Sequence, residues 1–202
     1  MLDEADGLAL VRYARAAIRE TLGGPAATRP RGGAHEQPAA TFVTLHRGGQ
    51  LQGCMGVIEA RRPLADDVRD HALAAALDDP RALPLSLSEV DDLDVEVSLL
   101  SALERVAALD AVAAAALLRP GIDGVVFAVG ARRSTYLPQV WEDVPEPMDF
   151  LRKLRCKAGF PADFWSGDVI IYRYQVRKWS DAATRTTRPA RTPRPTAAGT
   201  KP

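Results

Sequence analysis

Phe42-Val43-Thr44-Leu45-His46-Arg47-Gly48-Gly49-Gln50-Leu51-Gln52-Gly53-Cys54-Met55-Gly56 reads as two strands joined by a tight turn. β-Branched and aromatic residues flank Gly48-Gly49. Both positions of a two-residue hairpin turn need positive φ, which glycine accepts without steric cost. Such a turn places Arg47 opposite Gln50 and His46 opposite Leu51. Simple alternation then sends Leu51, Gly53, Met55 and Val57 to one face, and Gln50, Gln52 and Cys54 to the other. Cys54 thus shares a polar face, unless a glycine bulge re-aims it, and on that pairing His46 points away from Cys54.

Working outward, Leu8, Val11, Ala14, Ile18 and Leu22 recur at helical spacing and stop at Gly23-Gly24. Residues 23–40, rich in Gly, Pro, Ala and Arg, read as a flexible connection. Pro63 suits the first turn of a helix running to about Leu77, with Asp66 and Asp67 near its positive end. Leu93-Asp94-Val95-Glu96-Val97-Ser98-Leu99 alternates as a strand with one buried face. Asp110 is a helix cap before Ala111 to Leu118. Strands follow at Val125 to Val129 and around Ser134-Thr135-Tyr136. Asp149 to Ala158 is a helix closed by Gly159, and Val169 to Trp179 is a final strand. Helices and strands interleave without a regular βαβ repeat, so the fold class is α+β with an antiparallel sheet flanked by helices.

The 202 residues are 47% hydrophobic and 26% charged, a globular average for one domain over 1–181. Lysine plus arginine and aspartate plus glutamate stand at 26 each. Five of the basic residues (Arg185, Arg188, Arg191, Arg194, Lys201) lie in 182–202, which contains no acid. The body is therefore acidic and exerts no long-range pull on nucleic acid. The tail lacks aromatic residues for stacking and reads as a disordered Arg-, Pro- and Thr-rich extension. No apolar run reaches the ~20 residues of a membrane span. The acidic start Met1-Leu2-Asp3-Glu4 is unlike a secretion signal, and two cysteines suit reduced thiols, so a cytoplasmic location is expected. His35, His46 and His71 are scattered and no Cys-x-x-Cys occurs, so no metal site is expected.

Phe42-Val43-Thr44-Leu45, the glycine pair and Leu51-Gln52-Gly53-Cys54-Met55-Gly56 together resemble the hallmark of the AMMECR-domain family, whose bacterial and archaeal members are called AmmeMemoRadiSam system protein A. Further matches follow in family order: Asp79-Pro80-Arg81, Leu93 to Leu99, Gly121-Ile122-Asp123-Gly124, Ser134 to Glu142, Lys157-Ala158-Gly159 and Tyr172-Arg173-Tyr174. The family hexapeptide is Leu-Arg-Gly-Cys-Ile-Gly, so this chain departs at Gln52 and Met55. The resemblance implies a two-lobed α+β fold with the cysteine near a cleft. It also implies a Memo-like protein and a radical S-adenosylmethionine protein as partners, and a modification reaction of undefined chemistry. S-adenosylmethionine and an iron–sulfur cluster would then belong to a partner, because this chain has no Cys-x-x-x-Cys-x-x-Cys triad.

Cys54 is the candidate catalytic thiol. The alternative is a cysteine that packs or merely contacts a ligand. Gly53 and Gly56 either admit a ligand or let another backbone segment cross. Glutamine at 52 offers hydrogen bonds where the family arginine would offer charge. Ser134, Thr135, Tyr136, Gln139 and Trp141 form the candidate binding segment, with Trp141 equally readable as core. Lys157 could meet an anion or simply complement its helix dipole. Cys156 reads as a small semi-buried filler, Asp79 and Arg81 as a local ion pair, and Asp94 and Glu96 as a solvated face. A non-catalytic adaptor that holds a peptide or partner segment is the competing function.

Overall fold

The computed structural model describes residues 2–182, so the tail expected to be disordered lies, apart from Ala182, outside the described residues. Helix α1 (Glu4–Thr21) begins at Asp3, whose carboxylate accepts the Asp6 N–H at 2.8 Å in a reciprocal capping box. It ends where Gly23 takes φ +93°, as Gly23-Gly24 implies. The expected connection over 23–40 carries ordered elements. It contains a 3-10 turn (Gly33–Glu36), a buried His35, and the short strand β1 (Pro38–Ala39). Arg29 binds Glu36 at 2.6 Å and Asp66 at 2.7 Å.

The hairpin forms as read. Strands β2 (Thr41–Arg47) and β3 (Gln50–Gly56) meet at Gly48 (φ +58°) and Gly49 (φ +79°), with Arg47 opposite Gln50 and His46 opposite Leu51. Beyond that pair the register slips by one, so Leu45 faces Gly53 and Thr44 faces Cys54. Gln52 is the extra residue of a β-bulge. Strand β4 (Arg62–Pro63) pairs with β1 and leads into α2 (Leu64–Leu77). Asp67 of α2 is buried and accepts the Thr41 N–H at 3.0 Å and hydroxyl at 2.7 Å, with His71 Nδ1 at 3.2 Å. The residue read as a dipole partner thus stitches α2 to β2.

Strand β5 (Leu93–Leu100) lies beside β2, and β6 (Glu104–Val106) follows. Helix α3 (Ala111–Leu117) is capped by Asp110, which accepts the Ala113 N–H at 2.7 Å. Strands β7 (Gly124–Val129) and β8 (Arg132–Tyr136) form a second two-residue hairpin. Helix α4 (Pro147–Lys157) precedes β9 (Ile170–Tyr174) and β10 (Val176–Ser180). The expected single final strand is two. The chain leaves one sheet at Gln175 and enters the other, while Tyr172, Tyr174 and Val176 keep a common side.

Two lobes result. In the first, α1 and α2 cover one face of a sheet ordered β10-β5-β2-β3, burying Leu10, Ile18, Val43, Leu45, Val68, Val95 and Val97. In the second, α3 and α4 cover a sheet ordered β6-β9-β7-β8 around Phe127, Phe150, Leu151 and Leu154. A small apolar cluster of Ala40, Leu100, Val126 and Tyr174 joins them, with Phe42, Tyr172 and Val176 packed against it. All sheet pairing among the described residues is antiparallel.

Gly53 shows why the hairpin needs glycine there. A Cβ on it would stand 2.0 Å from the Ala75 carbonyl oxygen of α2. The crossing-backbone reading is therefore the one that holds at this position. A Gly53→Ala substitution should lower unfolding free energy by about 3 kcal/mol, the cost of overpacking where a backbone must shift. Urea denaturation of the two proteins checks this, and an unchanged midpoint would refute it.

Candidate functional site

The bulge decides which side chains meet at Cys54. Val43 and Leu45 are core residues of β2, so their partners Met55 and Gly53 face α2. Cys54 lies on the opposite face with Thr44, and Thr44 donates its hydroxyl to the Cys54 sulfur at 3.3 Å. Because Gln52 is inserted, Leu51 and His46 return to that same face, a correction to the simple alternation. No hydrogen bond joins His46 to Cys54; the Thr44 hydroxyl is the group on the sulfur. Gln52 turns the other way and donates to the Leu83 carbonyl at 3.0 Å.

β3 is the edge of its sheet. Cys54 directs its main-chain N–H and C=O outward, since Thr44 and Cys54 form the close, non-hydrogen-bonded type of antiparallel pair. Both outward groups are met by the Asp79-Pro80-Arg81 segment just past α2. The Asp79 carboxylate accepts the Cys54 N–H at 2.8 Å, and the Arg81 guanidinium donates to the Cys54 carbonyl at 3.1 Å. Arg81 also forks onto Asp79 at 2.6 and 2.9 Å. The expected ion pair exists, and it doubles as a substitute for the missing neighbouring strand. The guanidinium, foremost, and then the Cys54 and Arg81 amides hold the Asp79 carboxyl well below the usual carboxylate range, against the opposing effect of burial. Asp79 in turn raises Arg81, and the Cys54 side chain adds to that rise.

The second lobe brings Lys157, the last residue of α4. Its ammonium donates to the Thr135 carbonyl at 2.9 Å and sits 4.7 Å above the Tyr136 ring. The residue as a whole is exposed, yet its charged end is drawn against this wall. Desolvation of that end, then repulsion from Arg81, lowers its pKa, with Cys54 acting in the opposite sense. Cys54, Arg81 and Lys157 thus lie within electrostatic reach of one another. A groove of 770 Å³ opens between Phe42, Gly56, Ile58 and Glu59 of one lobe and Arg133, Thr135 and Lys157 of the other; Lys157 lines it, and Cys54 lies two residues before its Gly56 wall. Glu59 pairs with Arg133 across it.

The other candidates divide. The Thr135 hydroxyl donates to the Val125 carbonyl at 3.0 Å and lies 2.8 Å from that of Tyr174, whose pKa burial pushes up to about 12. Ser134 is buried and donates to the Leu154 carbonyl at 2.7 Å, so its hydroxyl is spent tying β8 to α4. Trp141 is core: it stacks on Phe150 with centroids 3.8 Å apart and donates to the Asp123 carbonyl at 2.7 Å. Gln139 lies in a separate hollow, where its carbonyl accepts Lys178 at 2.9 Å. A Cβ on Gly56 would stand 2.3 Å from the Phe42 ring, so this glycine serves packing while its main chain borders the groove. Cys156 is exposed rather than semi-buried, beside Tyr136, Arg152 and Lys153. Glu96, read as a solvated strand residue, faces the second lobe and pairs with Lys178 at 3.2 Å. Thr44 and the Glu96–Lys178–Gln139 link escaped the sequence reading because their partners come from distant segments.

Asp79→Asn should cost stability in a pH-dependent way. A carboxyl whose folded pKa is depressed contributes stability above its unfolded value near ~3.9 and loses that contribution as pH falls toward the folded value. The gap in unfolding free energy between native and variant should therefore be constant above about pH 5 and shrink below about pH 4. Denaturant titrations across that range check it, and a gap that widens in acid would contradict the role assigned to Asp79.

Among the described residues no helix is long and apolar enough to cross a membrane. The AMMECR1 family model matches residues 11–179. A protein of Methanothermobacter thermautotrophicus is 36% identical over 181 residues, covering 87% of this chain and 94% of its own length. One from Thermotoga maritima is 41% identical over 143 residues, covering 70% and 77%. The crystal structure of the uncharacterized protein PH0010 from Pyrococcus horikoshii superposes with a TM-score of 0.81 at 30% identity, covering 90% of this chain and 94% of that one. Both the hairpin at the head of the groove and the two-lobed frame around it lie within the matched span, and the chain belongs to the AMMECR1 family.

Proposed function

We propose that the groove between the lobes is the working site and that Cys54 acts there as a thiol in a modification reaction. The reaction is carried out together with a Memo-like protein and a radical S-adenosylmethionine protein, which supply the cofactor chemistry. The observation that supports this reading is the setting of one sulfur atom. It accepts a hydroxyl hydrogen bond from Thr44, has Arg81 and Lys157 near it, and stands half-buried at the junction of two lobes. A hydrogen-bond donor fixes the direction of the sulfur, and two cations beside it suit an anionic group brought to it. Arg81 takes over part of the charge that glutamine at 52 does not provide. Thr44 would orient the sulfur, and Lys157 would hold an anionic group of the substrate beside it.

Two measurements test the reading. With Cys156→Ser as background, iodoacetate should label Cys54, and adding Lys157→Met should slow labelling by about threefold or more through loss of a positive charge that draws the anionic reagent to the sulfur. An unchanged rate removes Lys157 from the thiol's environment. In a reconstituted reaction with both partner proteins, Cys54→Ser should abolish product formation while leaving partner affinity intact. Undiminished turnover would take the sulfur out of the chemistry.

A further inference from the structure

The groove beside Cys54 runs between two sheet edges. β3 closes one sheet and β8 closes the other, and Gly56 and Arg133–Thr135 border the groove from opposite sides. Antiparallel pairing fixes where their main-chain groups point. In the β7–β8 hairpin, Val129 pairs with Arg132 across a two-residue turn, so Arg132, Ser134 and Tyr136 bond to β7 while Arg133 and Thr135 direct N–H and C=O away from the sheet. The Lys157 contact to the Thr135 carbonyl is the direct sign of that outward direction. On β3 the same parity, established by Asp79 and Arg81 at Cys54, turns the N–H and C=O of Gly56 outward. The Val57 N–H, one residue on, bonds back to Thr41 at 3.0 Å, as this parity requires.

The two edges are therefore treated differently along their length. Side chains cap the Cys54 amide and carbonyl and the Thr135 carbonyl. Among the described residues no other strand pairs with the outward main chain of Gly56 and Arg133, or with the Thr135 N–H. A row of unpaired donors and acceptors at a sheet edge is a template for another strand. Charge selects the kind of strand. Arg61, Arg133 and Lys157 line the groove against Glu59, and Lys153 and Arg152, the latter paired with Asp149, line the hollow next to it beside Tyr136. This cationic surplus occurs on a body whose residues 1–181 hold 21 basic against 26 acidic side chains.

We propose that the groove takes an extended acidic peptide segment of a partner protein by strand addition. The segment forms main-chain hydrogen bonds to Arg133 and Thr135 on β8 and to Gly56 at the end of β3. Its carboxylates meet Lys157 and the groove arginines, and its path brings it past the Cys54 sulfur. This names the class of macromolecule that would occupy the site assigned above, and it rests on that site's geometry rather than on reactivity of the thiol. Main-chain bonding would supply affinity independent of sequence, and the cations would exclude basic segments.

Binding is read without any turnover, so its failure is distinct from failure of the thiol reading. The probe is a fluorescein-labelled (Val-Glu)6 peptide, titrated with the full chain and followed by anisotropy at low salt. The expected result is saturable binding that weakens about tenfold when alternate peptide nitrogens are methylated. Lys157→Met and Arg133→Ser should weaken it too, whereas (Val-Lys)6 should not bind. In amide hydrogen exchange, bound peptide should protect Gly56, Arg133 and Thr135. Equal affinity for the methylated peptide, equal affinity for (Val-Lys)6, or binding that protects none of these amides would overturn strand addition. Absence of binding to (Val-Glu)6 at millimolar concentration would overturn it as well.

Discussion

The contact between the Ala75 carbonyl and Gly53 sets the distance on which the rest of the site depends. Helix α2 touches β3 backbone to backbone there, with no side chain between. That closeness lets the short segment after α2 reach the edge of the sheet. Asp79 and Arg81 follow the helix by two and four residues and land on the N–H and C=O of Cys54. A larger residue at 53 would lift the helix end, and the carboxylate and guanidinium would lose their main-chain partners together. The glycine, the acid–arginine pair and the thiol therefore form one mechanical unit.

A second unit holds the lobes in register. Phe42, Val126, Tyr172, Tyr174 and Val176 gather into a small apolar cluster between the sheets. Around it stand Lys178 with Glu96 and Gln139 on one side, and Glu59 with Arg133 on the other. Exposed ion pairs contribute little to stability singly. Their effect here is to fix which residues of one lobe face which residues of the other, and so to bring Lys157 to the cysteine.

Much of this was legible from residue order. The Gly48-Gly49 turn, the caps at Asp110 and Gly23, and the alternation of Leu93 to Leu99 each rest on local geometry that a few neighbouring residues determine. The position of the bulge, at Gln52, was not legible, because Leu51-Gln52-Gly53 has no apolar alternation strong enough to set its own register. The packing of Val43 and Leu45 beneath α2 sets it instead. The break at Gln175 was hidden for a related reason: Tyr172, Tyr174 and Val176 keep one period through the change of sheet. Of the proposed site residues, Cys54, Thr135, Tyr136 and Lys157 gather near the groove. Gly53, Ser134 and Trp141 turn to structural partners: Gly53 to the Ala75 carbonyl, Ser134 to that of Leu154, and Trp141 to that of Asp123.

The passage of β9 into β10 gives the molecule a spine. Ser101 grips Gln175 at the crossing point, its N–H donating to the Gln175 carbonyl at 2.9 Å and its hydroxyl accepting the Gln175 N–H at 3.0 Å. The two sheets are bound along this line like the covers of a book, by covalent chain as well as by packing. The fore-edge is clasped by the Glu59–Arg133 ion pair. Two chain crossings at one edge and an ion pair at the other make the sheets harder to part along the spine than along the groove.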